Sequence, residues 1–219
     1  MTSEQLISAY PRLYHMAEDG SWPSIRDHGL LSTEALVELF EIDETRKTQI
    51  LERRRTRSVT LTHPVFGGAV VRDQIPMLEP QLAGALTDGL VPADWYLLLN
   101  RYVFFWVREE RLQRLLNAQA YRARPHLVLE FDTADIVARH ASRIRLTGMN
   151  TGNTRPRAFP RGLQTFRSIG DFPYDERRRT ARQDAVVELA VTGGVPDAAE
   201  LVRRVSRWHG AQHLEEMET

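Results

Sequence analysis

A chain of 219 residues with 29 basic and 29 acidic side chains and no cysteine is long enough to bury roughly 70% of its unfolded surface around one core without disulfide or metal staples. The absence of cysteine excludes thiolate zinc sites, cysteine nucleophiles and redox pairs. The first twenty residues lack the basic and apolar regions of a secretion signal, and the most apolar runs, 95–99 and 102–107, fall far short of the ~20 residues of a membrane span, so a cytoplasmic protein without a membrane span is expected.

Ser32 and Thr33 ahead of Leu36, Val37, Leu39 and Phe40 predict a helix start, and a second helix runs through Lys47, Ile50 and Leu51 to the Arg53–Arg55 run. Val59 to Thr62 alternates as a strand. Gly67 and Gly68 mark a turn before an extended segment from Ala69 to Arg72. Helices are expected over 79–86 and 93–99, then a buried aromatic strand over 102–107 and a helix over 109–118 with Leu112, Leu115 and Leu116 on one face. A strand over 126–131, a short helix over 134–140 and a strand over 142–146 follow, with the last clearly patterned strand over 185–191. Beyond Val195 the pattern fits strand and helix alike, and 198–205 suits a helix capped by Asp197. The class is α+β, in one domain spanning 1–219.

The neutral total hides a dipole. Residues 1–45 carry nine acids and two bases, whereas 142–182 carry ten arginines and three acids. Lys47 is the single lysine of the chain, which a GC-rich coding bias produces without any nucleic-acid role. The connection before the last strand is nearly forty residues long and has little periodicity, the kind of segment that carries function or moves. Its Arg155, Arg157, Arg161 and Arg167 admit two readings: ion pairing with the acidic N-terminal third, or phosphate recognition.

The common enzyme signatures are missing: no phosphate-binding Gly-rich loop of Walker type, no G-x-G-x-x-G after a strand, no H-E-x-x-H and no G-x-S-x-G. His209 and His213 beside Glu215 and Glu216 form the one histidine pair at ligand spacing, in a segment expected to fray. No metal is expected.

One stretch stands apart: Leu13-Tyr14-His15-Met16-Ala17, then Trp22-Pro23-Ser24-Ile25, then His28-Gly29-Leu30-Leu31-Ser32. It is similar to the opening of DarT-type ADP-ribosyltransferases and of the wider fold shared with tRNA 2′-phosphotransferases. Tyr102 to Val107 resembles that family's aromatic strand, Gln183 to Val191 its late strand with the catalytic glutamate, and Gly193-Gly194-Val195-Pro196 the turn that follows. The resemblance covers these stretches in order. It implies an ADP-ribosyltransferase-like split β-sheet core with flanking helices, and NAD as substrate without a metal.

Carried over residue by residue, the resemblance implies that Glu188 bonds the 2′-hydroxyl of the nicotinamide ribose. His15 would hold a ribose hydroxyl, the main chain near Ala17 the nicotinamide amide, Tyr102 the nicotinamide ring and Arg72 the pyrophosphate. Read from alternation alone, Glu188 is either an edge-strand acid facing water or a buried acid with a partner, and Arg72 is equally a structural partner of Asp73 or another acid. Val186 stands two residues before Glu188, where protein-arginine transferases carry Gln or Glu, so arginine is not the implied acceptor. The arginines Arg155, Arg157, Arg161 and Arg167, interleaved with Phe159, Phe166 and Tyr174, suit single-stranded DNA or RNA as acceptor. Rival readings are an NAD glycohydrolase, a module that binds NAD, ADP-ribose or nucleic acid without turnover, and a toxin-like surface for an antitoxin protein.

Overall fold

The computed structural model describes residues 1–181 and 184–218. Arg182, which ends the basic connection, and Gln183, which opens the Glu188 stretch, lie outside the described residues, as does Thr219. In chain order the elements are α1 (Ser3–Ala9), β1 (Arg12–Glu18), α2 (Trp22–His28), β2 (Leu30–Leu31), α3 (Thr33–Leu39), α4 (Glu44–Leu51), β3 (Val59–His63), β4 (Gly67–Val71), α5 (Glu79–Ala83), α6 (Pro92–Asn100) and β5 (Tyr102–Trp106). There follow α7 (Glu109–Leu116), β6 (Pro125–Asp132), α8 (Thr133–His140), β7 (Ile144–Thr147), α9 (Tyr174–Thr180), β8 (Glu188–Thr192), β9 (Gly194–Val195), α10 (Ala198–Leu201), β10 (Val202–His209) and β11 (Gln212–Met217).

Seven strands form one sheet in the order β11-β10-β6-β1-β5-β8-β7, and all its pairings are antiparallel. Alternation sorts the side chains. Leu13, Phe105, Leu129, Phe131, Leu146, Leu189, Val191 and Val205 meet Leu6 of α1, Trp22 and Ile25 of α2 and Ile136 of α8 in the main core. On the opposite pleat Met16 and Val128 pack against Leu112 and Leu116 of α7, and Tyr102 and Phe104 pack beside Trp95, Tyr96 and Phe166. The β3–β4 hairpin stands apart from the sheet and packs with α3 and α4 through Val37, Phe40, Ile50, Leu51 and Leu61. The fold is therefore a mixed α and β arrangement built on a large antiparallel sheet, and no helix of the described residues is long and apolar enough to cross a membrane.

Several expectations are corrected. Gly67 and Gly68 begin β4 rather than forming a turn before it. The strand expected over 185–191 starts at Glu188, and most of the stretch beyond Val195 that fitted strand and helix alike becomes the strands β10 and β11. The helix expected over 198–205 stops at Leu201, after which Val202 onward pairs with β6 through Val205, which is buried in the core. Asp197 does not cap it by a side-chain bond; its carboxylate meets His140 and Arg139 instead. His209 and His213 lie in a paired hairpin rather than a fraying tail. Within the long connection Tyr174–Thr180 is helical.

Candidate active site

β1 and β6 align over seven consecutive positions, from Arg12 opposite Asp132 to Glu18 opposite His126. On its other side β1 shares one register pair with β5, Tyr14 opposite Trp106. The sheet therefore opens at this seam. Register also assigns faces: Trp106 is opposite Glu188 as well as Tyr14, and cross-strand partners share a face, so Glu188 and His15 project from opposite faces of the pleat. The parting of β1 and β5 lets the His15 ring enter the seam, where Nδ1 lies 2.8 Å from the carbonyl oxygen of Phe104. A carbonyl only accepts, so Nδ1 carries the proton and Nε2 is left as an acceptor. Burial pulls His15 down from 6.5 to about 4, against the Phe104 bond and with a contribution from the nearby Arg72 charge; the imidazole is neutral at physiological pH.

At this seam lies a cavity of about 670 Å³, lined by His15, Ala17, Arg72, Tyr102, Arg155 and Glu188 among others. Glu188 is 5% exposed and sits in an interior strand between β5 and β7, which removes the reading of an edge-strand acid facing water. Two donors converge on its Oε2, the Thr151 hydroxyl at 2.8 Å and the Thr151 amide at 3.1 Å; the Thr147 hydroxyl lies 3.5 Å away but gives its proton to the Met149 carbonyl at 2.6 Å. No described donor occupies Oε1, and the residue lines the cavity. Burial pushes the Glu188 carboxyl up from 4.5 to about 7, opposed by the threonine bonds and by the charge of Arg161. The group is poised to change protonation state with its surroundings.

Arg72 donates from Nη1 to the Met16 carbonyl at 3.0 Å, lies 3.5 Å from Glu18 and stacks over the Tyr121 ring. Its partner is thus Glu18, not Asp73, which receives Tyr121 and Arg124. The buried Nη2 of Arg72 has no hydrogen-bond partner among the described residues. Ala17 is buried in β1 opposite Leu127. Tyr102 stacks on Phe166 at 4.7 Å between ring centroids, and burial raises its hydroxyl pKa.

The four arginines of the long connection divide. Arg155 and Arg157 are exposed, with Arg155 at the cavity. Arg167 is half-buried and donates to the Gln164 carbonyl, while its backbone bridges Leu146. Arg161 is 2% exposed and gives its guanidinium to the carbonyls of Thr151, Asn153 and Phe159. Of the interleaved aromatics Phe159 is exposed, Phe166 is core and Tyr174 is half-buried. Among the described residues no ion pair joins this connection to the acidic N-terminal third. The acids Glu18, Asp19 and Glu38 pair instead with Arg72, Arg124, Arg207 and Lys47. Sequence reasoning missed Thr147, Thr151 and Tyr121. Threonine at a strand end and in a turn carries no functional signal until the acid it bonds is known.

Among the described residues no group of three or more His, Asp or Glu side chains is placed to hold a metal ion. No curated protein matches the chain. The model of a family of unknown function, DUF7002, matches residues 11–202, from the residue before β1 to the first residue of β10, and the chain belongs to that family.

Proposed function

We propose that this protein is an NAD-dependent ADP-ribosyltransferase with an ADP-ribosyltransferase-like split-sheet core, acting on a nucleic-acid acceptor. The observation that carries the reading is Glu188: a buried carboxyl with one oxygen fixed by Thr151 and the other left to a cavity that also receives the neutral His15 through a parted strand seam. NAD fits the donor set as substrate. The unpartnered Arg72 Nη2 suits a phosphate oxygen, His15 Nε2 can accept from a ribose hydroxyl, and the Tyr102 face suits an aromatic amide.

In the reaction the bond between ribose C1′ and nicotinamide nitrogen breaks, and its electron pair leaves with nicotinamide as a neutral base. The acceptor nucleophile forms the new bond to C1′ and loses a proton. Positive charge grows on the ribose in between. Glu188, accepting from the 2′-hydroxyl, bonds more strongly as that charge develops, and the cationic ring draws the carboxyl into its ionised form. Such preorganised electrostatics are worth about 10²-fold or more in rate. Exposed Arg155 at the cavity, with exposed Arg157 and Phe159 close to it in the chain, offers charge and a stacking face to a single strand.

The test is nicotinamide release from NAD by wild type and Glu188→Gln, with and without single-stranded DNA, RNA and protein extract, following labelled ADP-ribose. Wild type is expected to release nicotinamide and label nucleic acid, and the variant to lose about 100-fold or more of that rate while still binding NAD. Labelled ADP-ribose that stays free identifies a glycohydrolase. NAD binding by a folded wild type that never releases nicotinamide identifies a binding module.

A further inference from the structure

We propose that Arg161 is a positioning residue for Glu188: its buried guanidinium staples the 151–159 turn so that Thr151 holds one carboxylate oxygen and turns the other to the cavity. The role rests on the transferase reading of the site, but the geometry stands by itself. All three guanidinium nitrogens donate to main-chain carbonyls, Nη1 to Thr151 at 3.0 Å, Nη2 to Asn153 at 3.1 Å and Nε to Phe159 at 3.1 Å. The cation lies over Trp95 at 5.8 Å. The Arg161 backbone is itself anchored, its amide to Ala85 and its carbonyl to the Thr87 amide, both at 2.9 Å. A rigid post thus reaches from the α5 end of the molecule to the turn that contacts Glu188.

An arginine this buried forgoes water for three neutral acceptors, which is costly unless the fold needs the fork it makes. Only its planar fork can serve three carbonyls at once; lysine reaches at most part of the set. Arg161 is also the charged group that bears on Glu188, whose other neighbours, Thr147 of β7, Thr151 and Trp106 of β5, are uncharged. Losing the fork loses the aim of the Thr151 donors, which disfavours the ionised carboxylate even where lysine keeps a positive charge in place.

The experiment follows the Glu188 carboxyl by carbon NMR, assigned through loss of its signal in Glu188→Gln, in wild type, Arg161→Lys, Thr151→Val and Thr151→Ser, with nicotinamide release measured alongside. The Glu188 midpoint is expected to rise by about 0.5 to 1 pH unit in Thr151→Val and in Arg161→Lys, and to return to the wild-type value in Thr151→Ser. Release should fall in kcat with KM for NAD unchanged wherever the midpoint rises. If Arg161→Lys does not fold, Arg161→Gln, which can donate to one of the three carbonyls but not to all, takes its place. An unchanged midpoint in a folded Arg161 variant overturns the proposal, as does an unchanged midpoint in Thr151→Val. A shifted midpoint in a protein whose wild type never releases nicotinamide leaves the positioning role in place and removes the transferase reading.

Discussion

Glu188 and His15 are perturbed in opposite senses by the same cause, loss of water at the seam. The folded protein keeps a proton on Glu188 between pH 4.5 and about 7, where the unfolded chain has lost it; stability from this group is present below 4.5 and falls as pH rises through 7. His15 behaves inversely. Its folded midpoint of about 4 lies below 6.5, so its contribution is present above 6.5 and is lost as pH falls through 4. The two slopes oppose each other over the shared window. Glu188→Gln keeps an acceptor for Thr151 but removes the cost of an ionised buried acid. Relative to wild type it should gain stability as pH rises through 4.5 to 7, reaching about 3 kcal/mol at pH 8, as urea unfolding at pH 5, 6 and 8 would read. An equal difference at all three pH values would mean that the carboxyl is not held protonated by burial. A more stable and inactive variant is the signature expected of a strained functional residue.

Among the elements, the Gly-Leu-Leu-Ser turn shows how local signals and distant contacts share one segment. Ser32 caps α3 by accepting from the Ala35 amide, as its place before an apolar-periodic run foretells. Gly29 ends α2 with φ 89° and ψ 166°, a region open essentially to glycine, and a methyl group there would sit 2.5 Å from the Pro196 Cα. Only the second fact depends on the fold. Gly29→Ala should therefore cost at least about 2 kcal/mol, seen as a lower melting temperature, with release of nicotinamide falling because the β2–β9 bridge and the β8 turn share that contact. A melting point within a degree of wild type would show that the turn relaxes freely.

The same contrast governs which elements were legible. β5, β6 and α7 follow from aromatic, alternating and helical patterns because burial imposes the pattern on local sequence. Helix α1 has too short an apolar record to predict, although Thr2 and Gln5 make a capping box. Over 198–205 the sequence fits either period, and pairing with β6 makes Val202 onward a strand. The seam between β1 and β5 is invisible to any local pattern.

For the molecule as a whole, the order β11-β10-β6-β1-β5-β8-β7 puts an early strand at the centre and the last two at one edge. The family match ends at Val202, yet β10 aligns along β6 from Val202 opposite Phe131 to His209 opposite Pro125, and its Val205 is buried in the core. Ending the chain after Leu201 would strip β10 and β11, baring the edge of β6 and an apolar strip of the core. Such a chain should aggregate or unfold without cooperativity, measured by solubility and near-ultraviolet circular dichroism. A soluble chain with a cooperative transition would show the terminal hairpin to be dispensable to the fold.

By itself the sequence determined the mixed α and β class, most helices and strands and the absence of cysteine, while the resemblance singled out His15, Ala17, Arg72, Tyr102 and Glu188, all of which line one cavity. These are properties of local pattern and of residue type. The tertiary structure alone decided that Glu188 is buried on Thr151, that Arg161 serves the main chain while Arg155 and Arg157 stay exposed, and that the acidic third pairs elsewhere. The burial of Glu188 on Thr151 and the pairing of Glu18 with Arg72 join segments more than twenty residues apart, the Arg161 bonds depend on how one loop folds back on itself, and an arginine reads the same in sequence whether its partners are a phosphate, a carboxylate or three carbonyls of its own loop.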